Sequence, residues 1–463
     1  MDSETRPGVA HLVGIGGIGL SGLARLLLAR GYAVSGSDLQ GNAQTSELEA
    51  LGARVATGHD AANLPAGCTL VVRSAAVPDD NPEIAAARSA NIPMLHHAEM
   101  VGRLMGERSG IAVAGCHGKT TTTAMIAYIL SRAGFEPTYV CGGVIPQLGT
   151  NAAGGSGRHF VAEACEFNRS FLKLAPQCAV ITNIEEDHLD YYKDLDEIVG
   201  AFREFAALVG GKGLVIGGVD SPPVAELIGT LKGRGESYSI EKDADWCAKK
   251  ISVDGGVWRF DVLKYGKTYG SFDLAVPGAH NVSNALAAIA AATWAGVGRE
   301  LIQLALSEFA GAERRFQVLG ERNGAIVIDD YGHHPTEIQA TLRAVKERYP
   351  DRKIWCVFQP HQYSRTRLFL KEFARSFGDA HLVLLPEIYE ARDGDAEKRR
   401  VSSADLAKLL DQNGKAALFM PSFDHVVAFL EDKVDPSVVV VTMGAGNVNE
   451  VARKFLRVPA ISK

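Results

Sequence analysis

At 463 residues, with 46% hydrophobic and 22% charged residues, the chain is too long for one core and has the composition of a soluble globular protein of about three domains. A net charge of −6 without a long basic run argues against nucleic acid as the main partner. No apolar run reaches the roughly 18 residues needed to span a bilayer. The N-terminus lacks a charged-then-apolar leader pattern, and the seven scattered cysteines read as reduced thiols. The expectation is a cytoplasmic protein with no membrane insertion.

Ala10 to Val13 reads as a strand, Gly14-Ile15-Gly16-Gly17-Ile18-Gly19 as a glycine turn, and Ser21 to about Arg30 as a helix. The next strand, from Tyr32, ends at Asp38. This is the dinucleotide-binding fingerprint, with a turn for phosphate and an acid for a ribose hydroxyl; taken alone it predicts NAD, or else a turn that needs glycine for packing. Thr69 to Val72 forms a further strand, followed by Ser74 and then Asn81 at a helix start. Ser74 thus falls at a strand's carboxyl end, where open α/β sheets bind ligands.

The run Ile111 to Ala114 reads as a buried parallel strand, Gly115-Cys116-His117-Gly118 as a tight turn, and Lys119-Thr120-Thr121 as a helix start. Strand, glycine turn, Lys-Thr and helix is the arrangement that cradles phosphates, with Lys119 aimed at the β/γ-phosphates and the Thr120 hydroxyl placed for Mg²⁺. The strict pattern has glycine where this chain has Val113. The bland alternative is a threonine-capped helix with a surface lysine.

Later strands end in Glu163 with Glu166, and in Asp187-His188. Carboxylates at parallel strand ends beside a phosphate loop suit Mg²⁺. Residues 237–277 alternate apolar and polar, which predicts an antiparallel excursion. His280, Asn281 and Asn284 then open an Ala-rich helix; amides there can read an adenine edge or simply cap.

A linker near 311–316 leads to a third α/β segment. Its strand ends carry Asp329-Asp330-Tyr331-Gly332-His333-His334, Gln359-Pro360-His361-Gln362 with Arg365, Glu387-Ile388-Tyr389-Glu390, and Met443-Gly444-Ala445-Gly446-Asn447. Such clusters at one sheet edge point to carboxylate and phosphate handling.

Together, the motifs at 14–22, 74–78, 115–122, 161–166, 182–188, 280–285, 329–337 and 359–361 resemble those of the Mur ligases of bacterial cell-wall synthesis. The last two match the alanine-adding branch. The resemblance implies a three-domain α/β fold: a Rossmann-like domain over 1–108 for a UDP-sugar, an ATP-binding domain over 109–311, and a Rossmann-like amino-acid domain over 312–463. The central domain is expected to be P-loop ATPase-like, mostly parallel with a small antiparallel sheet.

The resemblance implies ATP-dependent joining of L-alanine to the lactoyl carboxylate of UDP-N-acetylmuramate through an acyl-phosphate, in a monomer or weak dimer. It implies ATP contacts from Gly115 through Thr121 and from His280, Asn281, Asn284, Arg315 and Asp330. Gly16, Gly17, Ile18, Gly19, Asp38, Ser74, Tyr331, His333, His361 and Arg365 fall to the UDP-sugar and alanine, with Gln359 beside them. Thr120, Glu163 and His188 match metal positions for Mg²⁺. Lys119, Glu163, His188, His333 and Arg365 form the expected catalytic set, and His333 or His334 is the candidate base. Three departures stand out. Cys165 replaces an aspartate of many relatives, Gln362 replaces an arginine, and Arg203 stands where several sister ligases carry a carbamylated lysine.

Overall fold

The computed structural model describes residues 7–231, 233–391 and 393–458, and they build three sheets. The first contains β1 (Val9–Val13), β2 (Ala33–Asp38), β3 (Arg54–Thr57), β4 (Cys68–Arg73) and β5 (Met94–His96). It is wholly parallel, in the order β3-β2-β1-β4-β5. The order reverses between β1 and β4, so the crevice for a ligand opens beyond their carboxyl ends. Those ends carry the Gly14 turn and Ser74.

The second sheet has ten strands: β6 (Ser109–Ala114), β7 (Thr138–Ile145), β8 (Thr150–Ala153), β9 (His159–Glu163), β10 (Cys178–Ile181), β11 (Leu214–Gly218), β12 (Gly235–Ser239), β13 (Trp246–Asp254), β14 (Val257–Lys264) and β15 (Lys267–Leu274). Their order is β15-β14-β13-β12-β11-β10-β6-β9-β7-β8. The antiparallel strands expected over 237–277 continue this sheet, because β13 pairs parallel with β12 and antiparallel with β14. The central position of β6 follows from its composition: Ile111 to Ala114 are fully buried, as an all-apolar parallel strand requires. One flank of β6 is β10 and the other is β9, so the phosphate turn is bracketed by two polar strand ends.

The helix Lys119–Arg132 is buried from Thr120 to Leu130 and packs against the helix Ala279–Trp294. Alanines along the second helix permit that close approach, and both helices share the core on one face of the sheet. On the other face, the core runs on into the first domain. The helix Ile18–Ala29 lies on β7 and β8, where a Cβ at Gly22 would stand 3.1 Å from the Ala152 Cβ. A side chain there would press on Ala152, so glycine lets the helix sit close.

The third sheet contains β16 (Gln317–Arg322), β17 (Ala325–Asp330), β18 (Lys353–Phe358), β19 (Leu382–Leu385), β20 (Ala417–Phe419) and β21 (Val438–Met443), in the order β16-β17-β21-β18-β19-β20. Only β16 is antiparallel. The linker before it is tied down at both ends. The Glu313 N–H donates to the Val144 carbonyl at 2.9 Å, and the Tyr331 N–H to the Arg314 carbonyl at 2.7 Å. Among the described residues no helix is long and apolar enough to cross a membrane.

Candidate active site

The phosphate turn is shaped by its neighbours on β10. Gly115 and Gly118 adopt φ +137° and +81°, and a Cβ at either would collide with Thr182 or Asn284 respectively. The Thr182 hydroxyl donates to the His117 carbonyl at 2.6 Å. The Asn183 side chain holds the two peptide units that flank the His117 α-carbon, accepting from the His117 N–H at 2.9 Å and donating to the His117 carbonyl at 3.1 Å. Asn284 thereby touches the turn as well as bonding Asn281 at 3.0 Å, and Asn281 donates to the Pro277 carbonyl at 2.7 Å. Neither amide caps its helix through the Gly278 position. His280 lies beside Gly278, and burial lowers its pKa to about 4.

Lys119 folds back over the turn. Its ammonium donates to the Cys116 carbonyl at 3.1 Å and to Glu166 at 3.0 Å. Burial opposes the charge, but the Glu166 carboxylate outweighs it and raises the Lys119 pKa. Glu166 is likewise buried, and Lys119 holds its carboxyl below the usual range. Glu166 also stands 3.6 Å from His188, a residue in the left-handed region at φ +52°. Glu166, Asp187 and His188 form one group of ligand-type atoms within 4.8 Å of one another. Glu163 is outside it; its carboxylate accepts from the Gly142 N–H at 2.6 Å. The predicted trio therefore splits, with His188 grouped with Glu166 while Thr120 faces Arg315.

The third domain supplies the opposite wall. Arg315 donates to the Thr120 hydroxyl at 3.2 Å and stacks over Tyr331, 5.0 Å from the ring centre. Arg365 donates to Asp187 at 2.7 Å, both side chains buried. Burial favours the neutral acid, yet Arg365 holds Asp187 ionised and far below the usual carboxylate range. His117 is flanked by Glu337 at 3.3 Å and Glu185 at 3.5 Å, with the His334 ring tilted against it, 4.7 Å between centres. His334 donates to the Glu186 carbonyl at 3.1 Å. His333 donates to the Tyr331 carbonyl at 3.1 Å and lies 3.5 Å from Glu337; burial pushes its pKa down to about 4. His361 stacks on Tyr389. Gln359 lies 3.4 Å from Asn447, further along the same edge.

Asp330 faces inward, accepting from the Phe316 N–H at 2.8 Å and the Gly332 N–H at 2.7 Å. Burial raises its pKa to about 6 despite Arg315. It fastens the linker to β17. Gln362, at φ +69°, donates to the Ala391 carbonyl at 3.1 Å. Arg203 pairs with Glu226 on an exposed face.

In the first domain the Gly16 N–H donates to Asp38 at 2.9 Å, so Asp38 braces the turn. The Ile18 carbonyl accepts from Asn151 of the second sheet at 3.0 Å. Gly17 begins the helix, Gly19 lies against His97, and Ser74 meets Gly14 across the crevice.

Three family models cover the chain in succession: "Mur ligase family, catalytic domain" over residues 9–109, "Mur ligase middle domain" over 113–292, and "Mur ligase, glutamate ligase domain" over 314–446. The chain belongs to the Mur ligase family. Within it, the UDP-N-acetylmuramate–L-alanine ligase of Carboxydothermus hydrogenoformans is 46% identical over 446 residues, 96% of each chain. The corresponding Caldanaerobacter subterraneus ligase is 44% identical over 96% of each. The crystal structure of the Thermotoga maritima UDP-N-acetylmuramate-alanine ligase superposes with a TM-score of 0.82 at 30% identity, covering 97% of this chain and 98% of that one. A murein peptide ligase from Psychrobacter arcticus gives 0.71 at 26% identity, covering 98% and 100%.

Four groups in this Mur ligase site were not singled out from sequence: Thr182, Asn183, Glu185 and Glu337. Glu337 carried a signal, since His334-Pro335-Thr336-Glu337 is a capping box at a helix start.

Proposed function

We propose that the chain is an ATP-dependent ligase that joins L-alanine to the lactoyl carboxylate of UDP-N-acetylmuramate through an acyl-phosphate, releasing ADP and phosphate for peptidoglycan synthesis. The observation that carries this reading is the meeting of a Lys-Thr phosphate turn with the third domain's Arg315 and Arg365 at one sheet edge. Binding, activation and amide formation need three substrates in one cleft, and this edge offers groups for each. The shared name of the relatives supports the same reading.

The turn N–H groups and the N-terminus of Lys119–Arg132 receive the nucleotide phosphates. Lys119 then exchanges Glu166 for the β/γ-phosphates and stabilises charge as the carboxylate attacks. Arg315, already on Thr120, approaches the same oxygens, while Asn281, Asn284 and His280 sit on the adenine side. The Glu166 and Asp187 carboxylates beside His188 offer hard oxygen donors of the kind that suit Mg²⁺. Thr120, Glu163 and His188 would hold the ion, joined by Glu166 once Lys119 has moved. When bound, it neutralises phosphate charge.

Gly16, Gly17, Ile18 and Gly19 take the UDP-sugar diphosphate at a helix N-terminus, with Asp38 bracing the turn and Ser74 facing it. Tyr331, His361 and Arg365 orient the lactoyl and alanine carboxylates. We assign the proton-accepting role to His333. Burial keeps its imidazole neutral, and Glu337 at 3.5 Å stabilises the imidazolium formed when it takes the amine proton. The functional units are 1–108, 109–311 and 312–463, in a cytoplasmic monomer or weak dimer.

Phosphate release measured across a panel of amino acids with UDP-N-acetylmuramate and ATP tests this, with the amide product identified by mass spectrometry. Release that needs both the sugar acid and L-alanine is expected. Release indifferent to either would overturn it.

A further inference from the structure

At the opposite edge of the molecule, a cleft of ≈ 570 Å³ opens where the first and second sheets meet. Arg30, Tyr32, Glu107, Arg108 and Arg158 line it. Arg30 caps the carboxyl end of the helix Ile18–Ala29, whose other end carries the glycine turn. A helix of this length spans about 18 Å, so a ligand in the turn does not reach the cleft. Arg108 immediately precedes β6, and Arg158 immediately precedes β9. The cleft is thus at the strands' amino ends, away from the catalytic edge.

Three guanidiniums and one carboxylate, Glu107, line the cleft, and the Glu136 carboxylate accepts a hydrogen bond from the lining Ser156. Arg30 pairs with Glu107, which is 54% exposed. Arg108 donates to the Gly157 carbonyl, and Arg158 to the Ala295 carbonyl at 3.0 Å. Arg158 also donates to the His159 ring at 3.2 Å. Burial, reinforced by Arg158, lowers the His159 pKa to about 4, so this partner is neutral. Among the described residues, neither Arg108 nor Arg158 makes an ion pair. Burial and the nearby Arg30 both disfavour the Arg108 charge. Among the lining side chains the surplus is two positive charges, with guanidinium donors left unused.

We propose that this cleft binds a phosphate dianion, either inorganic phosphate or the phosphate group of a monoester, bridging Arg30 and Arg108 at the end of the first domain to Arg158 of the second. Guanidinium forks match phosphate oxygens in geometry as well as charge. Two negative charges balance the surplus, and Tyr32 offers a hydroxyl beside it. A ligand that bridges two domains favours the arrangement in which all three arginines converge. The site goes beyond ligation, since it touches none of the groups assigned to that reaction.

Isothermal titration of the full chain tests the proposal, at constant ionic strength with chloride as the balancing anion. A non-hydrolysable ATP analogue and UDP-N-acetylmuramate are present at saturation, so that the catalytic edge is occupied. Inorganic phosphate and glucose 1-phosphate are the two probes. One equivalent is expected to bind the natural chain, and binding to the Arg30→Gln/Arg158→Gln chain is expected to be weaker by about tenfold or more, the loss of a charge-assisted contact. The probe that binds more tightly distinguishes free phosphate from an ester. If the double variant melts as a misfolded protein, Arg30→Gln alone carries the test, because its ion pair is exposed. No heat from either probe, or equal affinity in natural and variant chains, overturns the proposal.

Discussion

Arg365 and Asp187 form a buried ion pair at 2.7 Å that joins the third domain to the loop after β10, across 178 positions of sequence. Each side chain is nine-tenths or more hidden from water, so neither charge is compensated by solvent. Removing one partner leaves the other stranded, at a cost of about 3–5 kcal/mol. Arg365→Ala is therefore expected to lower stability by that order, and Arg365→Met/Asp187→Leu by much less. Urea unfolding of the single and double variants checks this. Equal losses in the two variants would show that the pair has no special coupling.

Lys119→Ala is expected to reduce ATP-dependent phosphate release by at least about a hundredfold while the far-ultraviolet circular dichroism stays that of a folded chain. The ammonium is bonded to the Cys116 carbonyl of the turn, and alanine cannot replace it at the phosphates. Release at the natural rate in this variant would remove the turn from the mechanism.

Glu163→Ala is expected to raise the Mg²⁺ concentration for half-maximal activity by about tenfold or more, since even outer-sphere partners of a metal cost that much. Glu166→Gln provides the contrast, because Glu166 stands with His188 and Asp187. A shift with Glu166→Gln and none with Glu163→Ala would transfer the ion to the second group.

His117 is expected to make stability depend on pH. Burial disfavours its charge, but Glu337 and Glu185 outweigh that and lift its pKa to about 10. Free imidazole titrates at about 6.5, so the folded state holds the proton more tightly. The resulting stability is complete below pH ~6.5 and is lost as pH rises toward about 10. Thermal midpoints are expected to fall over that window in the natural chain and to fall less steeply in His117→Gln. Parallel slopes would contradict the clasp.

Much of this arrangement is legible in order along the chain. Val13 into Gly14, and Ala114 into Gly115, announce strand-to-helix turns because buried β-strands and glycine turns have local signatures. His333, His361 and Arg365 mark the third domain's edge because polar clusters interrupt apolar strands there. What stays hidden is pairing. Nothing near Lys119 names Glu166, and nothing near Asp187 names Arg365, because strand order is set by long-range packing. Asp330 illustrates the same limit: its residue type suits a nucleotide contact, but the bonds of its two oxygens to the Phe316 and Gly332 N–H groups are not legible. Glu163 and His188 look equivalent in sequence, yet their strand ends point them to different partners.

The double grip of Asn183 on the His117 N–H and carbonyl means that the turn proposed as the anion seat is already built without a ligand. Its amides need no reordering on encounter, so the entropy of shaping the loop is charged to folding and not to binding. Loosening that grip would be felt as weaker nucleotide capture in a chain whose turn sequence is unaltered.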